Sequence, residues 1–140
     1  MVIKLAEELG LYMALLPCWG SIVKEHILTM ENVLTYAKFL TDRYKDYSNI
    51  IWVLGGDVKA EAYKDIYTTM GTYFKENMPD KLVTFHPFGR CSSTTWFADR
   101  DRRWGGCQES MRKKVKQRIT ARRVSDKRVA NRVATRIAVL

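Results

Sequence analysis

The chain has 140 residues, 46% of them hydrophobic and 28% charged, with a formal net charge of +9. That length suits one ordinary domain, and the composition fits neither a disordered chain nor a membrane protein. Taken whole, the charge points toward nucleic acid or an anionic surface.

The whole-chain charge conceals a break near residue 100. Residues 1–99 carry ten Lys or Arg against twelve acids, a net of −2, whereas residues 100–140 carry fourteen against three, a net of +11. Ten of those fourteen are Arg, and fifteen of the sixteen aromatic residues precede residue 100, Trp104 being the exception. Two compositions are joined in one chain, so the basic charge describes only the second. Cys18, Cys91 and Cys107 are odd in number, far apart and without a C-x-x-C pair. That pattern disfavours a disulfide framework or a zinc site, so neither a metal nor a cofactor is expected. No apolar run approaches the ~20 residues of a spanning helix, so no membrane partner is expected. Met1 leads into Val2, Ile3, Leu5, Ala6 and Leu9 interrupted by Lys4, Glu7 and Glu8, which is an amphipathic helix pattern and not a signal peptide.

In chain order, residues 2–9 read as the end of a helix, with Gly10 where a left-handed stop residue is expected. Leu11–Pro17 is an almost wholly apolar run and reads as a strand buried on both faces. A loop with Trp19, Gly20 and Ser21 follows, and His26 reads as a structural residue ahead of the next helix. Thr29 is placed to cap that helix, with Glu31 in its first turn and Val33, Ala37, Leu40 and Tyr44 along one face. Ser48 and Asn49 end it, and Ile50–Leu54 reads as a second buried strand closed by Gly55, Gly56 and Asp57. Ala62, Ile66, Met70 and Phe74 recur every four residues, which predicts a helix to about Asn77, where Met78 and Pro79 stop it. Leu82–Phe85 reads as a third strand leading into His86, Pro87, Phe88 and Gly89.

Strands alternating with helices of this length predict an α/β fold with a parallel sheet and right-handed crossovers. Open α/β sheets and barrels place their chemistry at the carboxyl ends of parallel strands, so the residues just after each strand are the candidates. Asp57 follows an apolar strand and two glycines, and a carboxylate there serves either as general acid or base or as the cap of the following helix. Trp19, Trp96 and Phe97 offer aromatic planes for the C–H faces of sugar rings, or simply cover the end of the core. His86 can hydrogen-bond a substrate hydroxyl, pair with a carboxylate, or be structural. Ser92 and Ser93 are weaker candidates from the same loop. No phosphate-binding glycine pattern, H-E-x-x-H motif or G-x-S-x-G elbow is present.

Three segments then share one resemblance: LYMALLPCWG (residues 11–20), the stretch from Phe39 that ends in RYKDYSNIIWVLGGD (residues 43–57), and Thr84-Phe85-His86-Pro87 with Ser92-Ser93 and Trp96-Phe97. Together they resemble the apiosidase-like glycoside hydrolases, bacterial (β/α)8 barrel enzymes that act on plant cell-wall or related glycans. The resemblance covers roughly residues 1–99 and implies a partial TIM-type barrel holding about strands three to five. It implies that Asp57 stands at the end of the fourth strand as the acid/base carboxylate, with Gly56-Asp57 where related barrels carry Asn-Glu. It also implies a carbohydrate substrate contacted by Trp19, Gly56, His86, Trp96 and Phe97, in a family whose members are often exported. Ser21 departs from the pattern, since the family usually has an acid after Trp-Gly.

Glycoside hydrolysis ordinarily uses two carboxylates flanking the scissile bond. The second comes from a late strand in related barrels, and Glu25, Glu31, Glu61 and Asp65 read as loop or solvent-face residues. A closed barrel takes about 250 residues, so residues 1–99 are expected to be a fragment that is inactive alone, with non-catalytic carbohydrate binding as an alternative. In the basic segment, Val115 and Ile119, then Val129, Val133 and Ile137, place helices over about 110–123 and 126–138. Nucleic-acid binding through this tail is a further alternative, although a single aromatic and no defined nucleic-acid fold argue against it. A genuine basic extension is another reading, and an out-of-frame continuation of the barrel gene accounts best for the sudden gain of Arg and loss of aromatics. Reading the nucleotide sequence tests the last idea: another frame after codon 99 should restore barrel-like sequence, and its absence in every frame would sink it.

Overall fold

A computed structural model describes residues 2–98 of the chain. The elements run α1 (Val2–Glu8), β1 (Met13–Leu15), α2 (Gly20–Lys24), α3 (Val33–Tyr44), β2 (Ile50–Val58), a 3-10 turn (Glu61–Tyr63), α4 (Lys64–Asn77) and β3 (Leu82–Pro87). All strand pairings are parallel and the sheet order is β1-β2-β3, so the expected α/β alternation is present. The helices expected over 110–123 and 126–138 lie outside the described residues. No helix among the described residues is long and apolar enough to cross a membrane.

The sheet is registered at its amino end by two polar residues. Gly10, at φ 71, ends α1: its N–H donates to the Glu7 carbonyl and the Leu11 N–H to the Ala6 carbonyl, the paired bonds of a Schellman stop. The buried Asn49 side chain then donates through Nδ2 to the carbonyls of Ile3 and Leu11, while the Asn49 main-chain carbonyl accepts the Met13 N–H. Ser48 donates both its N–H and its hydroxyl to Glu7 Oε1. These bonds tie α1 and β1 to the start of β2 and set Met13 opposite Ile50.

The helical periodicities hold where packing is regular. On one face of the sheet, Ile50, Trp52, Leu54, Val83 and Phe85 pack with Val33, Ala37 and Leu40 of α3 and with Ile66, Tyr67, Met70 and Phe74 of α4. Trp52 stacks on Phe74 with centroids 4.4 Å apart. The opposite face carries a smaller cluster of Ile51 and Leu82 with Tyr12 and Val53. Side chains alternate along a strand, so Leu82, Thr84 and His86 share this second face, and His86 ends the row at the carboxyl edge.

Six boundaries differ from the sequence reading, two of them simply: β3 continues past Phe85 to Pro87, and α4 starts at Lys64, leaving Ala62 exposed in the 3-10 turn before it. β1 spans three residues and is half-buried instead of buried on both faces, because among the described residues it is an edge strand paired only with β2. Trp19-Gly20-Ser21 is not a plain loop but the start of α2, a helix too short to show periodicity. α3 begins at Val33 because residues 29–32 close a turn first, in which the Thr29 N–H donates to Asn32 Oδ1 and Asn32 Nδ2 donates to the Ile27 carbonyl. The Thr29 hydroxyl bonds Glu31 and holds its carboxyl below the ordinary value. Finally, β2 does not stop at Leu54 but runs through Gly55, Gly56 and Asp57 to Val58.

Candidate functional site

The extension of β2 creates the site. Leu54 pairs with Phe85 and Gly55 with His86, but the next pair is Val58 with Pro87, so Gly56 and Asp57 are extra residues on the β2 side. This is a β-bulge, a device that bends a strand and re-aims a side chain. Gly55, Gly56 and Asp57 take φ values of 94, 110 and 52. Asp is among the few non-glycine residues that tolerate the left-handed region.

Close approach explains why the neighbours are glycines. A Cβ on Gly55 would lie 2.4 Å from the His86 carbonyl oxygen, and one on Gly56 would lie 2.9 Å from Trp19 Cε3. A Cβ on Gly20 would lie 2.4 Å from the Gly56 carbonyl oxygen and 2.7 Å from Val58 Cβ. Three residues without side chains thus let the loop after β1, the bulge of β2 and the end of β3 meet.

Asp57, His86, Trp19 and Gly56 are brought together by this packing. Asp57 Oδ1 lies 3.7 Å from His86 Nδ1, with the two side chains 55% and 42% exposed. The Trp19 ring, half-exposed, lies 6.5 Å from the His86 ring at an interplanar angle of 36°. Asp57 caps no helix: the 3-10 turn and α4 start from Ala60 and Tyr63, and neither has a side-chain cap. The capping reading of Asp57 is therefore excluded, and its carboxylate is open to solvent beside an aromatic and an imidazole.

Trp96 and Phe97 do not join this group. They lie on a helical turn over residues 94–98 and are only 8% and 1% exposed. Both pack on Phe85, with centroids 6.3 Å and 4.8 Å away. Phe85 faces the helices, so these aromatics brace the residue before His86 and are not surfaces for a sugar. Ser92 and Ser93 also serve this turn: Ser92 Oγ pairs with the Thr94 hydroxyl, and the Ser93 carbonyl accepts the Phe97 N–H. Cys18, next to Trp19, is buried, and burial pushes its thiol up to about 11, which makes it a poor nucleophile.

A cavity of about 330 Å³ opens beside Asp57, lined also by Lys24, Lys59, Glu61, Tyr63 and Phe88. Sequence reasoning assigned Glu61 to a solvent face and passed over both lysines. The 3-10 turn, which turns Glu61 back toward the bulge, carries no periodic signal. Glu25, Glu31 and Asp65 are exposed and do not line this cavity.

The apiosidase-like catalytic domain model matches residues 1–129, past residue 99 and into the Arg-rich segment. The chain belongs to the apiosidase-like family. Among solved structures, the apiosidase-like chain is similar to a glycoside hydrolase family 5 protein from Bacteroides vulgatus, with 36% identity and a TM-score of 0.68 over 71% of this chain. A second structure, described as a glycoside hydrolase, gives 37% identity and the same TM-score. In both cases this chain spans 22% of the length of the solved one. A search of curated proteins finds no match.

The interlock of glycines is directly testable. Gly56→Ala forces a Cβ against Trp19 at a positive φ and should cost about 2 kcal/mol or more. Gly89→Ala, at a position with open space around it, should stay within about 0.5 kcal/mol of the parent in urea unfolding. Equal stability of the two variants would contradict the described contact.

Proposed function

We propose that this apiosidase-like chain is part of a TIM-type barrel and carries the acid/base half of a site that cleaves glycosidic bonds in plant-type or pectic polysaccharides. The observation that supports this most is Asp57 itself, held on the bulge at the carboxyl end of β2, beside His86, open to solvent and used by no helix as a cap. In such a reaction the protonated Asp57 gives its proton to the glycosidic oxygen as the C–O bond breaks, and the anomeric carbon is taken by a carboxylate or by a water that one activates.

Trp19 supplies the apolar plane for a sugar ring and His86 a hydrogen bond to a hydroxyl, while Gly56, buried beneath the Trp19 ring, leaves the space in which that ring lies and is not itself open to a sugar. Trp96 and Phe97 support this arrangement from the core. Among the described residues, Asp57 is the carboxylate that meets His86, while Glu61 stands across the neighbouring cavity. Turnover on this reading needs the second carboxylate that related barrels take from a late strand, so the 140-residue chain by itself is expected to bind sugar without hydrolysing it. Binding through the aromatic plane also distinguishes this reading from attachment to nucleic acid by residues 100–140, which would weaken steeply with salt.

Titration of the purified chain with pectic oligosaccharides should show saturable binding that is insensitive to moderate salt. Trp19→Ala should weaken it roughly tenfold, the equivalent of about 1.4 kcal/mol, while Asp57→Asn should change it less than about threefold. Absence of binding would overturn the proposal. Hydrolysis by the parent chain that Asp57→Asn abolishes would overturn the dependence on a second carboxylate.

A further inference from the structure

His86 has two ring nitrogens in different surroundings. Nδ1 is shielded from solvent and has no hydrogen-bond partner among the described residues, although the side chain as a whole is 42% exposed. The exposure therefore belongs to the rest of the ring, including the edge that carries Nε2. The acceptor nearest to hand for Nδ1 is Asp57 Oδ1 at 3.7 Å, slightly beyond hydrogen-bond length. Hydrogen bonds of catalytic groups are often long before substrate binds and tighten in the complex.

Both partners are held by backbone and not by flexible stems. His86 is fixed by its pairing opposite Gly55, whose missing Cβ lets the two main chains meet, and Asp57 is fixed two residues later by the bulge. Small side-chain rotations are all that remain to close the gap. Lys24, Lys59 and Glu61 line the cavity beside Asp57, the Trp19 ring lies 6.5 Å from the His86 ring, and the charged group described against Nδ1 is Asp57.

We propose that His86 is a positioning residue for Asp57: Nδ1–H donates to Asp57 Oδ1, which turns Oδ2 toward the glycosidic oxygen and leaves the Nε2 lone pair to accept a sugar hydroxyl. The tautomer of a neutral histidine is set by the partner of one nitrogen, and this arrangement selects Nδ1–H, the less populated form of a free imidazole. His86 thus does two jobs at once, one through each nitrogen. The role rests on reading Asp57 as the acid/base, but the pairing itself can be tested without substrate.

The chain contains two histidines, and His26, exposed in a loop, is an internal control. Long-range proton–nitrogen spectra of the full chain, recorded where both imidazoles are neutral, should show His86 as the Nδ1–H tautomer and His26 mainly as Nε2–H. Asp57→Gly, which keeps the positive φ and removes the carboxylate, should return His86 to Nε2–H. An Nε2–H tautomer for His86 in the parent chain, or an Nδ1–H tautomer that survives Asp57→Gly, would overturn the proposal. A second readout addresses positioning: the Asp57 carboxyl carbon signal should move in His86→Phe and return toward its original place in His86→Asn, whose amide nitrogen stands in for Nδ1, but not in His86→Gln. Equal recovery by Asn and Gln, or by neither, also counts against it. Because no sugar is present in either experiment, failure to bind carbohydrate would count against the proposed function and leave the pairing standing.

Discussion

Everything at the carboxyl edge of the sheet depends on how closely Gly20 and Gly56 approach. The Gly56 carbonyl oxygen occupies the place where a side chain on Gly20 would begin, 2.4 Å from an ideal Cβ. That contact lets α2 sit on the bulge of β2, where it also buries Val23 in the core. Trp19, immediately before α2, is carried over Gly56 as a consequence. The bulge in turn turns Asp57 toward His86, whose own place comes from pairing with Gly55. Remove one of these close approaches and three side chains lose their mutual arrangement.

Support from below is apolar. Phe85 is packed by Tyr67, Trp96 and Phe97 on the helix side of the sheet, and the next residue along the strand points the other way. Aromatic burial of this kind holds a strand end still, which is what precise placement of a carboxylate requires. The amino end of the sheet is registered separately, through Asn49 and its bonds to Ile3 and Leu11. Two devices of different chemistry thus fix the two ends of β2. One is a polar clamp and the other an absence of side chains.

The division between legible and illegible features follows from which physical signal each one leaves in sequence. Val33, Ala37 and Leu40 and again Ile66, Met70 and Phe74 face the core as their spacing predicts, because a helix face repeats. The placement of Asp57 and His86 at the carboxyl edge of the sheet was legible, although both lie within the last residues of their strands and not after them. The bulge was not, because Gly55-Gly56 reads equally well as a strand stop and as a strand that bends. For Trp96 and Phe97 the residues left sugar contact and cover of the core both open, and burial favours the second, since aromatic character alone does not say which side of a turn is buried. Glu61 is exposed as its sequence reading has it, but its place beside Lys24 and Asp57 was not legible, because a five-residue helix and a single 3-10 turn have no period to detect.

The role proposed for Asp57 and the mutual arrangement of Trp19 and His86 both rest on the packing around Gly56. The most direct measurement is a nuclear Overhauser spectrum of the purified chain, which reads distances between the Gly56 α-protons, the Trp19 indole and the His86 ring. Cross-peaks are expected from Gly56 to the Trp19 six-membered ring and from Trp19 to His86. A Trp19 indole with neither contact would contradict this packing.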